Sequence, residues 1–260
     1  IGGNTMEDII SRADGPIAYE RVNQNDIIFE KKVWEKIPLN EKANLVYYFP
    51  TQETMDRKPL FQILKEAIQK KDITEVYYDD TFRTKIDINK LDGKFYRQDT
   101  MEAGIEYYNM GEKIPEEYIV KTSLTARDVK EYRIMGTYYF DRNQGELKYR
   151  LIGIAPVVID INTKGKEYEN TIELFWIFFP AARQTLYENY AYNEKNSAMR
   201  SSFDYLFNAR KFSATIYRTD NLYGDEPIEE YVRDNAMQQL LEADRIKESI
   251  RNFEDDLWNY

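Results

Sequence analysis

The sequence predicts an α+β fold: a twisted antiparallel or mixed sheet built around one long hairpin, with helices before and after it. Three observations carry that prediction. In residues 128–141, Tyr132, Ile134, Tyr138 and Phe140 fall on one side of an extended chain and Arg133, Thr137 and Asp141 on the other, the period of two that marks a half-buried strand. Asn143-Gln144-Gly145 then supplies a turn, and Leu147, Tyr149 and Leu151 alternate with Lys148 and Arg150 on the way back. Helical patterns flank this hairpin, the longest at 235–258.

The elements follow in chain order. Residues 1–25 are mixed and polar, carry Gly2-Gly3 and Gly15-Pro16, and read as a flexible or partner-ordered extension. Residues 26–260 read as a single domain, whose helical N-terminal part, 26–72, can stand as a subdomain. Asp26 is placed to cap a helix with Phe29, Val33, Trp34 and Ile37 on one stripe, ended by Pro38 and Asn40. A second helical piece covers 40–48. Pro59 opens a third helix with Leu60, Leu64, Ala67 and Ile68 inward. Residues 73–78 read as a strand, and 79–115 as loops and short helices. Thr125-Ala126-Arg127-Asp128 is a helix-start signal worth one turn. Residues 171–179, apolar on both faces, suit a central strand terminated by Pro180. Helices are expected over 183–192 and 202–210, the latter capped by Ser201 or Ser202, and a strand over 212–217. A short helix at 227–234 precedes the long one, whose stripe is Met237, Leu240, Leu241, Ile246, Ile250, Phe253 and Leu257.

Composition removes whole classes of chemistry. The 260 residues include no cysteine and no histidine, so disulfides, thiolate nucleophiles, Ser-His-Asp and Cys-His arrangements and His- or Cys-ligated metals are impossible. A lipid cannot be attached through cysteine either, so membrane attachment would go through a partner or an amphipathic surface. The net charge of −10 disfavours nucleic acid and permits a basic protein partner. No apolar run approaches the roughly 18 residues that span a bilayer. The chain opens on Ile1 and reads as a processed or trimmed product whose targeting segment is not visible.

Carboxylates are the acid–base groups that remain. A glycosidase-like pair is the best enzymatic reading, with Glu173 on its apolar strand as the sharpest member and Asp141 or Asp160 as partner. The structural alternative pairs Glu173 with Arg150 or Lys148 on a neighbouring strand, or points it out at the sheet's rim. Asp79-Asp80, Asp87 and Asn89 offer oxygen ligands but lack a calcium-loop pattern, so a solvated turn is expected there, and no metal or other cofactor is called for. Aromatics make up 15% of the chain, with 22 Tyr, and suit sheet faces and interfaces. Trp34, with Phe29 and Val33 on the same expected helix, and Trp258 in the final turn are the candidate partner-binding residues.

Taken in order, several segments resemble one family. They include Val33-Trp34, Asn40 to Leu45 and Tyr47 to Pro50; Lys58-Pro59-Leu60-Phe61; Leu124-Thr125-Ala126 with 128–134; 138–141; 146–154; 173–180; Asn193 to Ser197; Asn208-Ala209-Arg210; Tyr223-Gly224-Asp225; Asp234-Asn235-Ala236; and 245–260. The set is similar to the gliding-motility protein GldN, called PorN in non-gliding relatives, of the type IX secretion system. The resemblance covers about 26–260 and leaves the first 25 residues unmatched. It implies a soluble periplasmic protein without enzymatic activity, peripheral to the outer membrane. Its implied partners are a GldK/PorK-type outer-membrane lipoprotein, with which it forms a large ring, a GldM/PorM-type motor protein, and other outer-membrane components of the system. The ring supports protein secretion and, in gliding species, movement. The family brings no catalytic motif. The other readings are a carbohydrate-binding or carboxylate-based glycan-hydrolysing periplasmic protein and a cytoplasmic structural protein.

Overall fold

In the computed structural model, residues 15–54, 57–113, 115–192, 201–233 and 235–258 are described. Most of the expected N-terminal extension, the Asn193 to Ser197 segment and Asp234 lie outside them. Eleven strands are present among the described residues: β1 (Ile27–Pro38), β2 (Val76–Tyr77), β3 (Tyr96–Thr100), β4 (Ile119–Ser123), β5 (Val129–Asp141), β6 (Glu146–Ile159), β7 (Thr171–Glu173), β8 (Trp176–Phe178), β9 (Tyr190–Ala191), β10 (Ser201–Ser202) and β11 (Thr215–Thr219). The helices are α1 (Leu45–Tyr48), α2 (Leu60–Gln69), α3 (Ile88–Phe95), α4 (Glu102–Asn109), α5 (Phe179–Glu188), α6 (Phe203–Asn208), α7 (Ile228–Tyr231) and α8 (Ala236–Trp258).

Seven strands form an antiparallel sheet in the order β11-β1-β5-β6-β8-β2, with β7 also pairing β6. The expected hairpin is its spine: Phe140 opposes Leu147, Tyr138 opposes Tyr149, and Ile134 opposes Ile154. Its turn closes with the Gly145 N–H donating to Asp141 O at 2.8 Å, Gly145 taking φ +64°. A bulge between Met135 and Gly136 tightens the twist there. A Cβ on Gly136 would lie 2.2 Å from the Tyr149 Oη and 2.8 Å from Arg150 O, so glycine is required.

Alternation along the central strands sorts the core. On one face, Ile37, Tyr132, Ile134, Leu151 and Ile154 pack under α2, α5 and α6 through Leu64, Phe179, Phe203 and Phe207. Each such buried side chain contributes about 1.5–3 kcal/mol. Farther along that face, Val33 and Ile216 meet Ala243, Ile246 and Ile250 of α8. The opposite face carries Trp34, Met135, Ala155 and Trp176, against which Phe82 packs.

Several expectations need correction. Residues 27–38 are strand, not helix; a single 3-10 turn, Gln24–Asp26, precedes β1 and is capped by Asn23 rather than Asp26. The helical N-terminal part expected over 26–72 therefore begins with a strand of the main sheet. The strand over 171–179 is split at Leu174-Phe175, and Pro180 lies in the first turn of α5 rather than ending the strand, because its missing N–H costs nothing there. The strand expected at 73–78 shrinks to Val76–Tyr77, and that at 212–217 shifts to Thr215–Thr219. Of the expected α8 stripe, Met237, Leu240 and Leu241 are exposed. At about 100° per residue Leu241 falls about 160° round from Ala243, away from the sheet. Thr125 and Asp128 do form a capping box, and Ser202 caps α6.

Candidate interaction surfaces

The four residues proposed for partner contact do not share one surface. Phe29 stacks on Phe253 of α8 with centroids 4.1 Å apart. Val33 is fully buried beneath the same helix. Trp34, one residue on, points to the opposite sheet face, 5% exposed, with the Arg218 guanidinium 4.0 Å above its ring. Trp258 occupies the last turn of α8, and its side chain lies outside the described residues. A bulge in β11, where Trp34 opposes Arg218 and Glu35 opposes Ile216, turns Tyr217 and Arg218 to the same side, which is how that guanidinium reaches Trp34.

The carboxylates weighed for catalysis have structural partners. Glu173 accepts from Arg133 Nη1 at 2.5 Å and from Trp176 Nε1 at 2.7 Å, so both its oxygens are committed. Its cation is Arg133, reached across β6, rather than Arg150 or Lys148. Asp141 accepts from the Asn143 N–H at 2.9 Å in the hairpin turn. Asp160 accepts from Asn162 N and Nδ2 at 2.9 and 3.0 Å in the turn after β6. Asp141 opposes Glu146 and Glu173 opposes Val157, eleven residues apart on β6, a backbone span of up to roughly 37 Å along the strand. A glycosidase pair needs about 5–9.5 Å. Asp79 accepts from Thr81 N at 2.9 Å, Asp87 caps α3, and Asp80 pairs with Arg218, so that acidic run is divided among three local tasks.

The most buried acidic residue was not singled out in the sequence. Glu35 is 2% exposed and takes both branches of Arg210, Nη1 to Oε2 at 2.9 Å and Nη2 to Oε1 at 2.7 Å. The guanidinium stacks 4.1 Å over the Tyr149 ring, and Tyr149 Oη donates to Glu35 at 3.4 Å. Burial alone would lower the Arg210 pKa, but the hydrogen bonds and charge of Glu35 outweigh it and raise it. Burial pushes the Tyr149 phenol well above its ordinary range, with the Glu35 charge adding to it. The pair ties the segment after α6 to β1.

Two surfaces remain open. The strands β3 and β4 form a separate two-stranded ribbon, antiparallel from Tyr96↔Ser123 to Thr100↔Ile119, whose outer edges pair with no strand among the described residues. Together with α4 it exposes Met101, Ile105, Tyr108, Met110 and Val120, Tyr108 and Met110 at 71% and 73%. It is joined to the body by Arg97 Nη1 donating to Ile161 O at 2.5 Å, by the Leu124 N–H donating to Phe95 O at 2.9 Å, and by Lys65 lying 4.4 Å over the Tyr96 ring. Isolated two-stranded ribbons are marginal in water, and open edges invite pairing. The second surface is the start of α8, where Met237, Leu240 and Leu241 are exposed. Two clefts of about 460 Å³ flank α2; Lys58, bridging Glu53 and Glu66, and Gln184 and Glu188 of α5 line one of them. Among the described residues no helix is long and apolar enough to cross a membrane, and no cluster of three acidic side chains could hold a metal ion.

These features define an α+β protein with a seven-stranded antiparallel sheet, the carboxylates weighed for catalysis engaged in structural contacts, and two apolar surfaces facing solvent. Residues 22–259 match the family described as gliding motility associated protein GldN, and the chain belongs to that family. Membership supports a role related to gliding motility, in a family not known for enzymes. No curated protein matches the chain.

Proposed function

We propose that the chain is a non-enzymatic structural subunit of the periplasmic ring of the type IX protein secretion system. In this reading it assembles with a GldK/PorK-type outer-membrane lipoprotein, engages a GldM/PorM-type motor protein, and sits beneath the outer membrane through the lipoprotein. It supports protein secretion and, in gliding species, gliding motility. Family membership carries the reading. The open ribbon supports it, because unpaired edges with exposed Met and Tyr side chains suit a partner strand and an adaptable apolar contact. Residues 97–121 carry six acidic side chains (Asp99, Glu102, Glu106, Glu112, Glu116, Glu117) against three basic ones (Arg97, Lys113, Lys121), which favours a basic partner segment. Phe29 and Val33 lie beneath α8. They therefore serve partner binding by supporting the surface that α8 presents, while Trp34 supports the opposite sheet face.

The test is co-purification of the chain with the lipoprotein and the motor protein from envelope extracts at low salt. Recovery of both is expected. Persistent absence of either complex, with the chain folded, would remove the reading.

A further inference from the structure

The segment just before β1 crosses the outside of the body as a strap and is held there in an unusual way. Arg183 Nη2 donates to Ile17 O at 2.6 Å, and Arg150 Nη2 donates to Glu20 O at 2.9 Å. The Tyr19 ring lies between the same two guanidiniums, 4.2 Å from Arg183 and 5.1 Å from Arg150, and its hydroxyl donates to Asn208 Oδ1 at 3.2 Å. The Glu20 carboxylate takes Lys148 Nζ at 2.5 Å and Gln144 Nε2 at 3.2 Å.

One end of the receiving surface is fixed without the strap. Arg183 is held by both oxygens of buried Asp204, at 2.8 and 3.1 Å, and Asn208 Nδ2 donates to that same carboxylate at 2.9 Å, which turns its Oδ1 toward Tyr19. Lys148 and Arg150 stand on β6. Groups already in place lose little entropy on binding, so the Arg183–Asn208 end of the groove is organised before its ligand arrives. The strap itself is not built into the fold. Residues 15–22 make no backbone–backbone hydrogen bond among the described residues, and Ile17 is 81% exposed.

We propose that the groove formed by Arg183, Asn208, Arg150 and Lys148 is a peptide-binding site for an extended segment carrying a tyrosine followed by an acidic residue, and that the ligand it exchanges for its own strap is the same strap from a second copy of this chain. The groove supplies cations and carbonyl-binding donors; the strap supplies a ring, carbonyls and a carboxylate. The two are different, mutually complementary patches on one molecule, the condition for a head-to-tail contact. The contacts that hold the strap use side chains and carbonyls that a second copy also carries, and local concentration decides between the two. The inference deepens the reading of the chain as an assembly subunit and rests on it.

Because the chain has no cysteine, engineered pairs report cleanly. A Cβ on Gly15 of the strap would lie 3.4 Å from the Gln184 Oε1, so these two positions report on the strap without touching its recognition contacts. Purified full chains carrying Gly15→Cys alone are mixed with chains carrying Gln184→Cys alone and treated with a short bis-maleimide. Exchange predicts a cross-linked dimer joining position 15 of one copy to position 184 of another, well above the yield when Lys166→Cys replaces Gln184→Cys. Adding Tyr19→Ala to the Gly15→Cys chain should lower that yield roughly tenfold, the worth of two cation–π contacts. Tyr19→Ala leaves the buried Arg183–Asp204 pair intact, so folding is not at issue. The inference is overturned if a chain carrying both Gly15→Cys and Gln184→Cys cross-links within itself while the mixed single variants give no more dimer than the Lys166→Cys control. Loss of exchange with both partners still recovered would remove this inference alone; exchange without partner recovery would remove the assembly reading alone.

Discussion

Removing Arg210 is the sharpest test of how this sheet is held. Arg210→Met leaves Glu35, 2% exposed, with Tyr149 Oη at 3.4 Å as its remaining side-chain donor. Breaking a buried pair from one side costs about 3–5 kcal/mol, because a desolvated charge loses its compensation. A quarter of the Arg210 side chain is exposed, 25% against 3% for Glu35, which places the expected loss near the lower end, about 3 kcal/mol. That is roughly a hundredfold shift in the folding equilibrium. The double variant Glu35→Leu/Arg210→Met removes both charges and should recover at least about 2 kcal/mol of the loss, since an apolar replacement for a buried pair is often neutral. Urea denaturation read by tyrosine and tryptophan fluorescence measures both, with an unchanged slope showing that the native state kept its extent. A single-variant loss below about 1 kcal/mol, or a double variant worse than the single, would refute the assignment of Glu35–Arg210 as a compensated buried pair.

Other perturbations follow from the same contacts. Gly136→Ala places a Cβ 2.2 Å from the Tyr149 Oη and 2.8 Å from a backbone oxygen, so a loss of about 3 kcal/mol is expected in thermal melting, and a neutral outcome would contradict the packing there. Glu173→Gln weakens the Arg133 contact, whose partners are each 32% exposed, and should cost only about 1 kcal/mol in urea without changing glycan hydrolysis in any assay. Activity that vanishes with this change would contradict the structural role. Burial pushes the Glu66 carboxyl up, but hydrogen bonds from Lys58 and Gln62 outweigh it and hold it below its ordinary 4.5. A depressed folded-state pKa gives stability that is full above the unfolded value and is lost as pH falls. Stability should therefore decline below about pH 4.5, less steeply in Glu66→Gln, and stay level between about pH 5.5 and 8 because the chain has no histidine. A sloping stability curve in that neutral window would contradict this.

What could be read from the sequence depended on how local its cause was. The β5–β6 hairpin was legible because its alternation, its turn and its glycine sit within one continuous stretch. Residues 27–38 were not, because Phe29, Val33 and Ile37 are four apart, a spacing that suits a helical turn and an even-numbered strand alike. What settles the matter is Glu35, which sits between them on the same face and is neutralised by Arg210, 175 positions away along the chain. An acidic residue amid that apolar set reads as solvent-facing until its distant partner is known. The ribbon β3–β4 was missed for a different reason: its strands bury little, so they carry no apolar alternation. Glu173 reads from the sequence as half of a catalytic pair or, alternatively, as the partner of Arg150 or Lys148; its actual cation comes from β5 by reaching over β6, which only the register reveals. The tyrosines divided by position. Tyr47, Tyr132 and Tyr149 fill the interior or its seams, while Tyr108 and Tyr223 face solvent.

The central claim is that this chain acts by lending surfaces, chiefly the ribbon and its helix α4. The most direct measurement compares the wild-type chain with an Ile105→Asp/Tyr108→Asp/Met110→Asp variant in sedimentation velocity with the lipoprotein and motor partners. All three positions are exposed, so the melting temperature should not move, and the complex boundary should disappear for at least one partner. A variant that melts normally and still binds both partners with wild-type affinity would contradict the account.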